Sequence, residues 1–121
     1  MALCICQKLG VVSKVVDYQS FFEALIEVEI GNWIRLKRCI TCSQLWAVAE
    51  WDKYQIQLAT KIAITNRSTW QEANIEAEKE YLIKSRGGLT SKTCSHSRCI
   101  KSCVAGVAYC VDHLYETGAR V

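Results

Sequence analysis

An α+β fold is predicted from three features of this sequence. Residues 54–64 alternate with period two, residues 70–81 place apolar side chains at helical spacing, and seven of the eight cysteines join one of the two histidines in two groups of four. The first group is Cys4, Cys6, Cys39 and Cys42; the second is Cys94, Cys99, Cys110 and His113. Four thiolate or imidazole donors leave a bound ion no position for water, which is the donor set of a structural zinc and not of a catalytic one. The expected architecture is therefore a three-stranded antiparallel zinc-ribbon-like sheet with two helices and a C-terminal zinc-finger module, held by two structural Zn2+ ions.

The elements follow in chain order. Ser20 and Glu23 have the spacing of a capping box, and Phe21, Phe22, Leu25 and Ile26 recur as on a helix before Gly31, so a short helix is expected over residues 21–30, although Val28 and Ile30 alternate like a strand. Ile34 and Leu36 then alternate with Arg35 and Lys37, a strand leading into the Cys39–Cys42 knuckle. Residues 45–51 leave that knuckle as a second strand. In the third, Tyr54, Ile56, Leu58, Thr60, Ile62 and Ile64 share one face. Short connections make the sheet antiparallel.

Residues 66–69 read as a turn, and Thr69 with Glu72 as a second capping box. The helix it opens carries Trp70, Ala73, Ala77 and Tyr81 on one face and stops near residue 86, before Gly87 and Gly88. Residues 84–101 hold Lys84, Arg86, Lys92, Arg98 and Lys101 with no acid, and are expected to be a loop around metal ligands. A strand near residues 107–109 and a last turn of helix bearing His113 complete the second module. The whole is read as one compact domain, 1–121, with a zinc-ribbon-like sheet and inserted helix in 1–66 and a helix plus zinc module in 67–121.

At 121 residues, half of them hydrophobic, the chain can bury a modest core. No charged leader with a long apolar run opens the sequence, so the cysteines are expected to be metal-bound thiolates in a reducing cytoplasm and not secreted disulfides. No apolar run is long enough to span a membrane. A net charge of +3 is mild: it neither demands nor excludes a nucleic-acid partner.

Within the ligand groups two substitutes are available, because Cys103 and His96 lie in the same stretch as the second set. Cys103 is expected to be a small packed thiol and His96 a solvated loop residue. A Cys103/His96 nucleophile pair lacks an orienting third group. The sequence has no His-Glu-x-x-His, no deaminase signature and no glycine-rich phosphate loop. The Cys39-x-x-Cys42 pair has no βαβ context for redox exchange. No enzymatic activity is therefore expected.

Arg38-Cys39-Ile-Thr-Cys42-Ser-Gln-Leu-Trp46, Glu50-Trp51-Asp52-Lys53-Tyr54-Gln55-Ile56-Gln57-Leu58-Ala59, Ser85-Arg86-Gly87-Gly88 and Tyr109-Cys110-Val-Asp-His113-Leu-Tyr-Glu-Thr-Gly-Ala-Arg120 resemble segments of small bacterial zinc-binding immunity proteins encoded beside contact-delivered toxins. The resemblance implies a partner, the cognate toxin, neutralised by direct binding. Expected contacts are Trp51, Asp52 and Lys53 at a turn between strands, with Arg86 and Lys92 in the basic loop. The four tryptophans and five tyrosines are many for so small a core, and those at the surface suit a protein interface. The alternative is a nucleic-acid-binding zinc module that uses Arg35, Lys37, Arg38 and the basic stretch.

Overall fold

The computed structural model describes residues 4–50 and 55–121. The fold is α+β, but its antiparallel sheet has five strands where three are expected. Strands β1 (Val12–Lys14), β2 (Ile26–Ile30), β3 (Ile34–Arg38), β4 (Leu45–Ala49) and β5 (Leu58–Ile62) lie in the order β1-β5-β4-β3-β2. The register pairs Val12 with Thr60, Val48 with Ala59, Leu36 with Ala47, and Ile30 with Arg35.

The additional strand β2 comes from the segment expected to be helical. Helix α1 occupies only Gln19–Glu23, and Ser20 and Glu23 lie inside it without a side-chain cap. From Ile26 the chain alternates β-branched residues with glutamates, a pattern suited to an edge strand. The glutamates find cations there: Glu27 and Glu50 both pair with Arg35, and Glu29 pairs with Arg67 at 3.1 Å. Gly31 therefore closes a hairpin and does not stop a helix. Its amide donates to the Ile34 carbonyl at 2.7 Å, and a Cβ on it would meet Trp70 Cη2 at 2.8 Å. β1, at the other edge, is a three-residue strand with too few residues to show a period.

Both faces of the sheet are covered, so every residue of central β4 is buried. Ile34, Leu36, Leu45, Ala47 and Ile62 pack under Trp70 of helix α2 (Trp70–Ser85). On the opposite face Trp46, Val48 and Ala59 pack against Cys6, Leu9, Phe22 and Cys39. The Trp46 and Phe22 rings meet edge to face, 5.2 Å apart. The expected strand over residues 54–64 is shorter than its period, because Ile64 already belongs to a 3-10 segment, Ile64–Thr69, that leads into α2. Tyr54 lies outside the described residues.

Thr69 stands at the N-cap of α2 but makes no side-chain cap bond. The helix buries Trp70, Asn74, Glu78 and Leu82, a stripe rotated from the expected Trp70, Ala73, Ala77 and Tyr81. Two polar residues can occupy it because the C-terminal segment brings Tyr115 and Arg120 against them. Gly87, in the left-handed region at φ 100°, turns the chain away.

The C-terminal module is a hairpin of β6 (Leu89–Thr93) and β7 (Ser102–Val104) followed by helix α3 (Val111–Glu116). β6 lies within the expected loop, and the expected strand at 107–109 is instead found at Ser102–Val104. Gly106, at φ 81°, reverses the chain after β7, and residues 107–109 return beside it through the bond from Val104 N–H to the Tyr109 carbonyl, 2.9 Å. Leu82, Val104 and Leu114 join this module to α2.

Candidate metal centres

The N-terminal centre is assembled from two turns. Cys4 and Cys6 lie where a 3-10 turn, Cys6–Lys8, folds the chain back through bonds from Lys8 N–H to the Ile5 carbonyl and Leu9 N–H to the Cys6 carbonyl. Cys39 directly follows β3 and Cys42 sits in the knuckle before β4. That knuckle is closed by Ser43 N–H on the Cys39 carbonyl and Cys39 N–H on the Gln44 carbonyl, both 2.9 Å, with Ser43 at φ 66°. The four sulfurs lie within 4.8 Å of one another. Cys6 and Cys39 are buried, Cys4 is half-buried and Cys42 is exposed.

Their ionisation is uneven. Burial opposes a charge on Cys39, but the backbone N–H groups of Cys42 and Thr41 and the neighbouring thiols outweigh it and bring its pKa down to about 7. Cys6 is pushed up to about 12, chiefly by burial and against the indole N–H of Trp46, which donates to its sulfur at 3.4 Å. Crowded thiols resist losing several protons together. A divalent cation among them reverses that balance, so metal binding and thiol deprotonation are coupled here.

The C-terminal centre repeats the donor count on a different frame. Cys94 follows β6, Cys99 precedes β7, and Cys110 and His113 sit at the N-cap and third residue of α3. The chain is held to this shape by bonds from Cys94 N–H to the Lys101 carbonyl and from Ser95 N–H to the Ala108 carbonyl. A tetrahedral ion with metal–sulfur bonds of 2.3 Å sets two sulfurs about 3.8 Å apart. Cys99 and Cys110 Sγ are 3.8 Å apart, and His113 Nδ1 lies 3.3 and 3.2 Å from the sulfurs of Cys94 and Cys110. The four ligand atoms fall within 4.8 Å of one another. Burial disfavours the Cys94 thiolate, yet the N–H groups of Cys110 and His96, with His113 and Cys99, lower its pKa to about 6.

Both groups could hold a metal ion, and Cys103 and His96 belong to neither. Cys103 is buried within β7. His96 is exposed, but its ring stacks on that of His113 at 3.9 Å, a buttress that residue spacing does not announce. The indole of Trp46 is the other unforeseen contributor. Its position seven residues past Cys39 gives no sign that it turns back toward Cys6. Asp112 ties the module to α2 and to β7's approach by pairing with Lys79 at 2.8 Å and with Lys101. Those cations, Lys101 first, hold its carboxyl at about 2.

Of the expected partner contacts, Trp51, Asp52 and Lys53 lie outside the described residues. Arg86 follows α2 and donates through Nε to the Val121 carbonyl at 3.2 Å, so it serves the C-terminus. Lys92 is exposed on β6. Comparison of the chain with models of known families, with curated proteins and with solved structures finds no match. Among the described residues no helix is long and apolar enough to cross a membrane.

Proposed function

We propose that this chain is a non-catalytic binding protein built on two structural Zn2+ ions. The observation that carries the reading is that each donor group is complete with four protein atoms, which leaves no coordination site for a substrate or an activated water. Compact sets rich in thiolate favour zinc over the harder divalent ions. The N-terminal centre then acts as a zinc ribbon at the mouth of the sheet and the C-terminal one as a zinc finger, each fixing turns that a core this small would hold poorly.

The surface best suited to a protein partner is edge strand β2. All five of its residues are exposed, Ile26, Val28 and Ile30 among them, and the half-exposed Trp33 follows at the hairpin. Its outer edge offers backbone groups to a partner strand. With the resemblance to immunity proteins, the partner is a contact-delivered bacterial toxin met in the cytoplasm, and the action is stoichiometric occlusion. Several cations of the nucleic-acid reading are paired within the chain: Arg35 with Glu27 and Glu50, and Lys101 with Asp112. This weakens that alternative.

The test is co-expression with the product of the adjacent gene, scored by cell survival and by copurification. Val28→Lys places a charge on the edge without touching a ligand, and should abolish both protection and complex while leaving two zinc ions bound. Protection without any complex, or tight binding to generic nucleic acid that falls steeply with salt, would sink the assignment.

A further inference from the structure

The two donor groups differ in how far their sulfurs meet solvent. Of the eight cysteines, all of them among the described residues, Cys42 alone is exposed. It sits in the β3–β4 knuckle, where Ile40 is 68% exposed and Thr41 and Ser43 are exposed on either side of it. A cleft of about 230 Å³ opens beside Cys42, lined also by Ser43, Gln44, Ile62, Ala63 and Ile64, and among the described residues no charged side chain lines it. The second group is shielded. Cys94 and Cys110 are 5% and 1% exposed, Cys99 is half-buried, and the fourth donor is the imidazole on which the His96 ring stacks.

We propose that Cys42 is an oxidation site through which a small uncharged hydroperoxide discharges the N-terminal metal ion ahead of the C-terminal one. The inference rests on the zinc reading above. A closed set of four donors gives a reagent no open position on the ion, so the reactive atom is a ligand sulfur, and exposure selects Cys42 among them. The cleft offers no counter-ion to repay the lost hydration of a charged oxidant, which favours a neutral one. Cys42 Sγ attacks the terminal peroxide oxygen and the O–O bond breaks. A sulfenic acid forms, and the leaving oxygen takes a proton and departs as water or alcohol. Cys39 Sγ then attacks the Cys42 sulfur, the S–O bond breaks, hydroxide leaves to be protonated to water, and the S–S bond forms. The two thiolates have given up two electrons and the hydroperoxide has taken them. Cys39 is the resolving thiolate because its sulfur accepts the backbone N–H groups of Thr41 and Cys42 and its carbonyl accepts from Ser43 N–H, so the knuckle keeps the two sulfurs adjacent without the metal. Cys4 and Cys6 come from a separate turn, and Cys6 is buried against Trp46. With two of four donors gone the ion is released. The change is local, since Leu9, Phe22, Trp46 and Val48 pack together without the metal.

The experiment treats the zinc-loaded full chain with excess hydrogen peroxide and reads released zinc with a chromophoric chelator against a peroxide-free control. Samples quenched with N-ethylmaleimide are mapped for disulfides by mass spectrometry. One ion should leave faster than the other by about tenfold or more. At that stage the chain should carry a disulfide between Cys39 and Cys42, with Cys94, Cys99 and Cys110 still alkylated as thiols. Dithiothreitol with added zinc should restore the lost ion. Cys42→His keeps a donor but has no thiolate to oxidise, so with two ions bound it should lose the fast phase; if it binds one ion, the map of the wild-type chain decides alone. Equal rates for the two ions, a first disulfide without Cys42, a fast phase that persists in two-ion Cys42→His, or an ion that reductant does not restore overturns the proposal. Fewer than two ions before peroxide removes the zinc reading and this inference together, whereas two ions that stay, or leave in the other order, remove the inference alone.

Discussion

Trp46 Nε1 donates to Cys6 Sγ at 3.4 Å across the buried face of the sheet. The bond links the hydrophobic core to the N-terminal metal group, since the same indole packs edge to face against Phe22 and Phe21. Outer hydrogen bonds of this type orient a ligand and stabilise its charged form, and losing one typically costs 10–100-fold in metal affinity. Trp46→Phe keeps an aromatic ring for Phe22 and removes the N–H. It should lower zinc affinity at the N-terminal centre by about 10-fold or more, and leave the C-terminal centre unchanged. Competition with a chromophoric chelator, read as two separate steps, checks this; a parallel loss at both centres would refute the assignment of the effect to Cys6.

Metal content and cysteine substitutions test the two groups directly. Two zinc ions per chain should be found by native mass spectrometry. Cys39→Ser and Cys110→Ser should each remove one ion and unfold the surrounding turns, because structural zinc contributes about 10–16 kcal/mol of apparent free energy in small zinc modules. Cys103→Ser should keep both ions, as the Cys103 sulfur stands outside both donor groups. Release of zinc by Cys103→Ser with retention by Cys99→Ser would reverse the ligand set of the second module.

What the sequence made legible, and what it hid, divides along physical lines. β3, β4 and α2 were readable because each buries a run long enough for its period to show, from Ile34 and Leu36 through the all-apolar β4 to the sixteen residues of α2. The eight clustered donors were readable from residue type and short local gaps. The alternation of β2, Ile26 to Ile30, is overridden in the sequence by Phe21, Phe22, Leu25 and Ile26, whose helical spacing runs across the end of α1 into the first strand residue, and an edge strand exposed at every position has no buried face to reinforce it. The polar stripe of α2 was missed for another reason. Asn74 and Glu78 are buried by Tyr115 and Arg120, partners some forty residues away that no local pattern can reveal.

Gly31 is required for contact and not for conformation. A Cβ there would stand 2.8 Å from Trp70 Cη2 and 2.9 Å from the Gln71 side chain, at the point where the β2–β3 hairpin meets the start of α2. Trp70 is fixed in turn by its N–H bond to Glu29 at 2.6 Å, so its ring has little freedom to retreat. Gly31→Ala should therefore destabilise the chain by about 1–3 kcal/mol, the usual cost of overpacking. Chemical denaturation measures the loss. In the double variant with Trp70→Phe, whose smaller ring clears the added methyl, the further cost of Gly31→Ala should shrink; a full additive cost would show that Trp70 is not the obstacle.

Glu78 supplies a pH signature of the buried cluster. Burial raises its pKa, against the lowering effects of Tyr115, Arg120 and Asn74, so the fold favours the neutral acid more than the unfolded chain does. The folded state then binds more protons than the unfolded state as pH climbs from the ordinary carboxylate range through the raised value, and stability from this group is lost over that interval. Glu78→Gln cannot titrate. Any deficit relative to the wild-type chain should be largest where Glu78 is protonated and should narrow as pH rises, because only the wild-type chain carries the penalty of ionising a buried acid. Denaturant melts of both proteins from mildly acid to mildly basic pH, with zinc saturating, isolate the effect, since the metal ligands are common to both. A deficit that widens with pH would mean that Arg120 holds Glu78 ionised and that burial does not dominate.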